Sequence, residues 1–507
     1  LVATDTGEAV PQHYADTAVV AYRLPDAAPP QAKLSTSGDL ADTSALSDGW
    51  QATSVAIPAG SETKPAWLRA DYAEPQTIRA ATLGLHISTS LLGAAVPTAF
   101  LEASTDGINF RRVAEFPGGG VPQHTISFPP VTARSFRVRF GPFSEAEGLT
   151  RLGSVPGAAI ISFGAPSDRA TIRISEFALN SDARVNRFEQ KAGFGVVPDY
   201  YALATPVGVG GRFVSKDEVV DLTGKMTPDG RLDWTPPAGR WKVLRFGYSL
   251  TGKRNHPATV EATGLEVDKL DRAAVKDYIE TYLDNYLKAT GPELLGKRGV
   301  NALLNDSIEV GAMNWTGDMI AQFRRLRGYD PMPWLPVLTG AVVEGAEESD
   351  AFLYDFRRTI GDLLADSHYA QISESVRARG MLHYAEALEF GRPSLGDDMA
   401  IRRSADVPMA AMWTYKPGGE PKPAYQADMR GAASVAHVYG QNLVAAESLT
   451  SAYSPWAFAP ADLKPMIDME FALGVNRPVI HTSVHQPIEK KPGLSLAIFG
   501  QYFNRHE

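Results

Sequence analysis

The chain has no cysteine, which excludes disulfides, thiolate nucleophiles and thiolate metal sites. No apolar run approaches the roughly 20 residues that a membrane-crossing helix needs. The stretch Gly157 to Phe163 is apolar but much too short. An excess of cations is also missing. The formal net charge is −9, so no surplus of Lys and Arg stands ready to meet phosphates, and a nucleic-acid partner is not expected. No G-x-S-x-G elbow precedes a helix, and neither a phosphate-binding G-x-x-x-x-G-K-[ST] loop nor an H-E-x-x-H zinc motif occurs. The glycine run Val207 to Gly211 lacks a following helix and reads as a turn. The first residues lack the basic, apolar and small-residue zones of a signal peptide. Polar chemistry is left chiefly to carboxylates.

What is present is an ordinary globular composition: 507 residues, 44% hydrophobic and 21% charged, enough for about three units. The compartment stays open between cytosol, periplasm and exterior, with a slight lean to the last two. Residues 1–30 read as one buried strand, Thr17 to Tyr22, followed by a Pro-rich linker. Residues 31–190 alternate short β-type runs with turns such as Thr105-Asp106-Gly107, the texture of a β-sandwich. Its segment Phe100 to Phe110 resembles the strand-turn-strand of discoidin-like, sugar-binding sandwiches. Residues 191–240 are a β-rich connection.

From 241 to 507, strand and helix patterns alternate. Strand candidates are Lys242 to Tyr248, Val300 to Asn305, Met381 to Glu386, Leu443 to Glu447 and Pro478 to Thr482, with a weaker one near Ser404 to Val407. Helical patterns cover Arg272 to Leu287, Thr316 to Arg327, Ala351 to Arg379 (stopped by Gly380) and Ala461 to Leu473. This order predicts an α/β domain of the (β/α)8-barrel type, with the β-sandwich inserted into it. Only about six or seven of the eight barrel strands are visible, counting Thr17 to Tyr22, so the barrel is expected to be incomplete in this chain. The abrupt ends of the sequence agree with a piece of a longer protein.

In such a barrel the chemistry sits where strands end. Here that rim is acidic. Val300 to Asn305 runs into Asp306 and Glu309, Met381 to Ala385 ends on Glu386, and Leu443 to Ala446 ends on Glu447. His481 and His485 follow the last strand. One strand-end glutamate is more often a solvated cap than a catalyst. Several acids delivered to one rim raise each other's pKa, a strain tolerated mainly where a metal or substrate uses it. Glycoside hydrolysis asks for this pattern: one carboxyl group donates a proton, and the other attacks the sugar or activates water.

Longer motifs point the same way. Gly252-Lys253-Arg254-Asn255-His256-Pro257, Glu261 to Leu270, Asp306-Ser307-Ile308-Glu309-Val310-Gly311 with Asn314-Trp315-Thr316, and Arg327 to Pro331 together resemble glycoside hydrolase family 106. Asp406 to Met409, Ala446-Glu447-Ser448, His485-Gln486-Pro487 and His13 to Tyr22 continue the likeness. The resemblance implies an inverting α-L-rhamnosidase acting on a polysaccharide or a rhamnosylated small molecule, with calcium near the sugar hydroxyls. It implies Glu309 as acid and Glu447 as base; spacing alone does not assign which is which. Asp306 is a candidate calcium ligand, and His256, Glu386, Trp315, His481 and His485 are candidate sugar contacts. One departure stands out: the family typically has Gly-Glu after the Val-Pro-Met run, and this chain has Ala410-Ala411. Two alternatives stay open, a non-catalytic carbohydrate-binding protein on a decayed barrel and a retaining glycosidase of other specificity.

Overall fold

The computed structural model describes residues 13–38, 42–86, 89–90, 93–94, 96–143, 170–195, 197, 199–255, 258, 260–308, 310–387, 396–415, 418–451, 458–481 and 500. The chain divides into two compact units. The first comprises residues 1–146, 165–265 and 312–359, and the second 147–164, 266–311 and 360–507.

Besides a short antiparallel pair, Thr89–Ser90 with Gly93–Ala94, the first unit holds two larger antiparallel sheets. In the smaller, β1 (Tyr14–Arg23) is the central strand. Its run Ala18 to Tyr22 is buried throughout, because both faces are covered. Ala18 and Val20 pack on Met332 and Leu335, whereas Val19 and Ala21 pack on Leu222 and Trp241. The larger sheet is built from β2 (Lys33–Thr36), β3 (Val55–Pro58), β4 (Trp67–Leu85), β5 (Pro97–Ser104), β6 (Arg111–Phe116), β7 (Gln123–Phe143) and β8 (Thr171–Asn180). Hydrogen bonds link them in the order β3-β8-β4-β7-β5-β6, with β2 also on β4. The bonding is continuous, and β4 shifts register against β7 between Asp71 and Gln76 and again between Ile78 and Ala80, irregularities at which a long strand can pass from one packed layer to the next. Leu68, Leu83, Leu101, Phe136, Val138 and Ile174 form its core. The turn at Asp106 has a clear local cause. Its carboxylate accepts from the backbone of Ile108 (2.9 Å) and Asn109 (2.8 Å) and from the Ser104 hydroxyl (2.7 Å), and Gly107 takes φ +73°.

The neighbours of β1 correct the barrel expectation. β1 pairs antiparallel with β9 (Val220–Asp221) and with β10 (Trp241–Ser249), in register Val20 with Leu244 and Arg23 with Trp241. Thr17 to Tyr22 and Lys242 to Tyr248 are therefore partners of each other, not strands of the parallel sheet. A continuous apolar run reports burial on both faces and carries no information on strand direction.

The parallel sheet lies in the second unit: β11 (Ala302–Asn305), β12 (Leu382–Glu386), β13 (Val407–Trp413), β14 (Ala445–Thr450) and β15 (Arg477–Ile480), adjacent in chain order. Parallel neighbours added always on the same side, with right-handed crossovers, put their helices on one face, the winding of a barrel rather than of a doubly wound sheet. Five such strands are present among the described residues, and a complete eight-stranded barrel is not. Alternation sorts the two faces. Ala410, Met412 and Ala446 pack outward on Met429, Ala432 and Ala436 of helix Pro423–Tyr439 and on Leu463 and Met466 of helix Pro460–Ala472. Val407, Met409 and Ala445 face inward with Tyr384 and Val479. The expected helix Ala351 to Arg379 starts earlier, as Ala346–Leu363, widens to a π-helix over Leu364–Ala370 and resumes as Gln371–Arg377. Gly380, at φ +73°, follows its end.

Candidate active site

Three strands of the parallel sheet bring carboxylates together. Asp306 is the residue after β11, and Asn305 pairs with Ala385, so Asp306 stands level with Glu386, the last residue of β12. Glu447 is the third residue of β14, opposite Ala411 and Val479, and shares the inward face with Ala445. The expected strand end at Glu447 is thus corrected: β14 continues to Thr450. Asp306, Glu386 and Glu447 each present an oxygen, and these oxygens all lie within 4.8 Å of one another.

Such crowding has an electrostatic consequence. Glu386 is only 3% exposed. Burial pushes its carboxyl pKa well above the ordinary range, and Asp306, Glu447 and Asp428 push it further the same way. It also shares a hydrogen bond with Asp306, which requires a proton between the two acids. A proton or a cation must therefore offset this charge. The donor set is all oxygen and anionic, which fits a hard cation such as calcium and not a soft one.

Glu447 is held differently. Leu449 takes φ +66°, and the pairing of β13 with β14 shifts there, so that Met412 opposes Ser448 but Trp413 opposes Thr450. This bulge turns Leu449 out to the helix side, where it packs with Ala446 and Val444. Thr450 instead comes round to Glu447 and donates its hydroxyl to the carboxylate. Leucine in this backbone region is strained by about 1–3 kcal/mol, a cost typical of functional sites.

Two further groups frame the acids. His481 follows β15, and its backbone N–H donates to the Ser448 carbonyl (3.0 Å). Burial lowers its pKa against the opposing pull of Asp306, and its Nδ1 is buried with no hydrogen-bond partner among the described residues. Behind β13, the fully buried Arg402 donates from Nε to the Met409 carbonyl (2.8 Å) and from its other nitrogens to Asp398 (3.1 Å) and Asp428. Asp428 in turn accepts from the Ala411 N–H (2.9 Å), so the pair clamps the strand facing Glu447.

Of the residues singled out from sequence, the structure joins Asp306, Glu386 and Glu447, with His481 within electrostatic reach of Asp306. Glu309, His256 and His485 lie outside the described residues. Trp315 belongs to the first unit, where it packs beside Ala18, Val20 and Met332 with its ring 6.0 Å from that of Phe356. It is half-buried there. Sequence reasoning missed Thr450, Leu449, Arg402 and Asp428. None sits in a motif, and only the bulge and the clamp reveal them.

Comparison with known proteins gives the family. Residues 1–507 match the family Glyco_hydro_106, described as alpha-L-rhamnosidase. The structure is similar to that of a rhamnosidase from Novosphingobium sp. PP1Y, with 48% identity and a TM-score of 0.84 over 97% of this chain and 44% of that one. A putative beta-glucuronidase of Formosa agariphila is 36% identical over 359 residues, 70% of this chain and 28% of that protein. The chain thus spans less than half the length of both relatives. It belongs to glycoside hydrolase family 106, the alpha-L-rhamnosidase family.

Proposed function

We propose that the chain hydrolyses terminal α-L-rhamnosides by single displacement, with Glu447 as general base and Glu309 as general acid. The observation that carries the reading is the set of acids brought together by neighbouring strands of the parallel sheet, Glu447 held by the Thr450 hydroxyl beside a buried, proton-binding Glu386. Glu447 removes a proton from water on one face of the sugar. Glu309, whose role comes from the family resemblance, gives a proton to the leaving oxygen on the other. Asp306, Glu386 and Glu447 are the residues that would hold calcium, which would supply a positive charge to orient the sugar hydroxyls. His481 offers its free ring nitrogen to a sugar hydroxyl.

One observation favours a second reading. Glu386 and Glu447 present oxygens no more than 4.8 Å apart, nearer to the spacing of a retaining pair (about 5–5.5 Å) than to that of an inverting one (about 6.5–9.5 Å), and Glu386 has the raised pKa of a general acid. Product stereochemistry separates the two. An aryl α-L-rhamnoside is given to the chain with and without a chelator, and the released sugar is followed by NMR. β-Rhamnose appearing first supports inversion; α-rhamnose appearing first replaces it with retention by Glu386 and Glu447. Binding of rhamnose without turnover would leave a carbohydrate-binding protein. An aryl β-glucuronide serves as the comparison substrate, because one relative bears that activity in its name.

A further inference from the structure

Within the first unit a cavity of about 510 Å3 lies between the end of β1, the Pro-rich segment after it and the end of β8. Five cations line it: Arg23, Arg184, Arg212, Arg240 and Lys242. Asp182 is the single carboxylate in the lining. A chain of net charge −9 has here concentrated positive charge between low-dielectric walls, which focuses the field on whatever enters.

The bland explanation is that these cations brace loop carbonyls, and for some it suffices. Arg240 donates to the carbonyls of Pro25 (3.0 Å) and Ala27 (2.6 Å), and Arg212 to that of Arg23 (3.2 Å). Arg23 is paired with Asp26 at 3.0 Å. It does not suffice for the remaining two. Arg184 donates from Nη2 to the Thr339 carbonyl (2.7 Å), but its Nε is buried with no hydrogen-bond partner among the described residues. The Lys242 ammonium has no hydrogen bond or ion pair among them, and burial together with the nearby Arg184 lowers its pKa. Asp182 lies within electrostatic reach of Arg184 but forms no hydrogen bond or ion pair with Arg184 or Lys242 among the described residues. Two like charges are thus held close and half out of water; Asp182 and the buried Glu189 pull on Arg184, but no carboxylate pairs directly with Arg184 or Lys242 among the described residues. That arrangement is unfavourable unless an anion completes it. Phe213, 51% exposed, also lines the cavity and offers an apolar face of the kind that stacks on a sugar ring.

We propose that this cavity is a second carbohydrate site, which takes an acidic sugar with its carboxylate or sulfate ester set against Lys242 and Arg184 and its ring against Phe213. The anionic half of that ligand rests on the cavity alone; the saccharide half rests on the glycosidase reading. A site of this kind would hold an acidic polysaccharide while the carboxylate site works on its neutral rhamnose ends.

Isothermal titration calorimetry on the 507-residue chain tests it, using trigalacturonate, a sulfated galacto-oligosaccharide, maltotriose and inorganic sulfate as probes. The expectation is that at least one acidic oligosaccharide binds about tenfold or more tightly than maltotriose and than inorganic sulfate. Lys242→Gln should weaken that binding about tenfold or more, and Phe213→Ala, an exposed position that leaves the core untouched, about fivefold. Glu447→Gln should leave it unchanged, which separates this site from the catalytic one, and Lys242→Gln should leave aryl rhamnoside hydrolysis intact. Which acidic probe binds tells uronate from sulfate ester. Equal binding of maltotriose, equal binding of bare sulfate, no binding, or binding indifferent to both cavity variants each overturn the proposal. Loss of hydrolysis with these isotherms intact would instead overturn only the glycosidase reading.

Discussion

Replacing Glu386 by glutamine should stabilise the protein when no cation is present, against the usual direction for a buried polar substitution. The carboxyl is 3% exposed, and its pKa is raised by burial first, then by Asp306 and Glu447. A raised carboxyl pKa means that the folded state binds the proton more tightly than the unfolded chain. Its penalty is absent below the ordinary value of 4.5, grows as pH rises through the folded pKa and is then constant. Each tenfold difference in proton affinity amounts to about 1.4 kcal/mol. Glutamine keeps the shape, can donate to Asp306 and never ionises. Removing a desolvated, uncompensated acid should return on the order of 1–3 kcal/mol, or about 2–4 °C in Tm for each kcal/mol. The assay is thermal unfolding in chelator from about pH 4 to pH 8. Glu386→Gln should match the parent at the acid end and exceed it increasingly toward the alkaline end. Calcium should raise the parent's Tm at neutral pH and the variant's much less, because one of three ligands has lost its charge. A variant less stable than the parent in chelator at about pH 8, or a gap independent of pH, would refute the charge-crowding argument.

Three other outcomes follow from the same geometry. Glu447→Gln should lower kcat for an aryl α-L-rhamnoside by about 10²–10⁴-fold without loss of Tm, whereas Glu309→Gln should penalise poor leaving groups more than activated ones; comparing two leaving groups checks both. Arg402→Met should cost about 3–5 kcal/mol in urea unfolding, because Asp428 stays buried without its guanidinium, and adding Asp428→Asn should recover part of that loss. Glu470, buried behind β14 with the Ser448 hydroxyl as its one hydrogen-bond donor among the described residues, has its pKa raised by burial to about 7. Its penalty sets in as pH rises from 4.5 through 7, so Glu470→Gln should raise Tm above neutrality and leave it unchanged near pH 4.5.

The acidic rim was legible from sequence because its cause is local. A β-type run that stops on Asp or Glu states where the acid is, and the helices between runs state that the strands are parallel. Glu386 and Asp306 could be placed on one rim from that alone. The direction of β1 was not legible, since TAVVAY is equally apolar on either face of any central strand. Nor was the bulge at Leu449: a leucine at φ +66° is chosen by the surrounding packing, and no local residue preference announces it. The helix Pro423–Tyr439, rich in alanine, lacks the strong apolar stripe that marks an amphipathic helix, although Gly440 stops it at φ +82°. Arg402 and Asp428 are separated in sequence by a strand and a loop, and only their joint burial makes them a unit.

Ala411 changes meaning once the register is known. As a departure from the family's pattern it suggests a weakened site. In the structure it stands opposite Glu447, 1% exposed, with its N–H held by Asp428. Three carboxylates already lie within 4.8 Å, and one of them needs a proton. A fourth acid at this position would raise the proton affinity of Glu447 and move the base toward its protonated form. Alanine spares Glu447 that neighbour, so the departure is compatible with a working base. Ala411→Asp should therefore shift the acidic limb of the kcat/KM–pH profile to higher pH and tighten calcium binding. An acidic limb that stays in place, in a variant whose Tm shows it folded, would mean that Glu447 is not the group whose ionisation governs the rate.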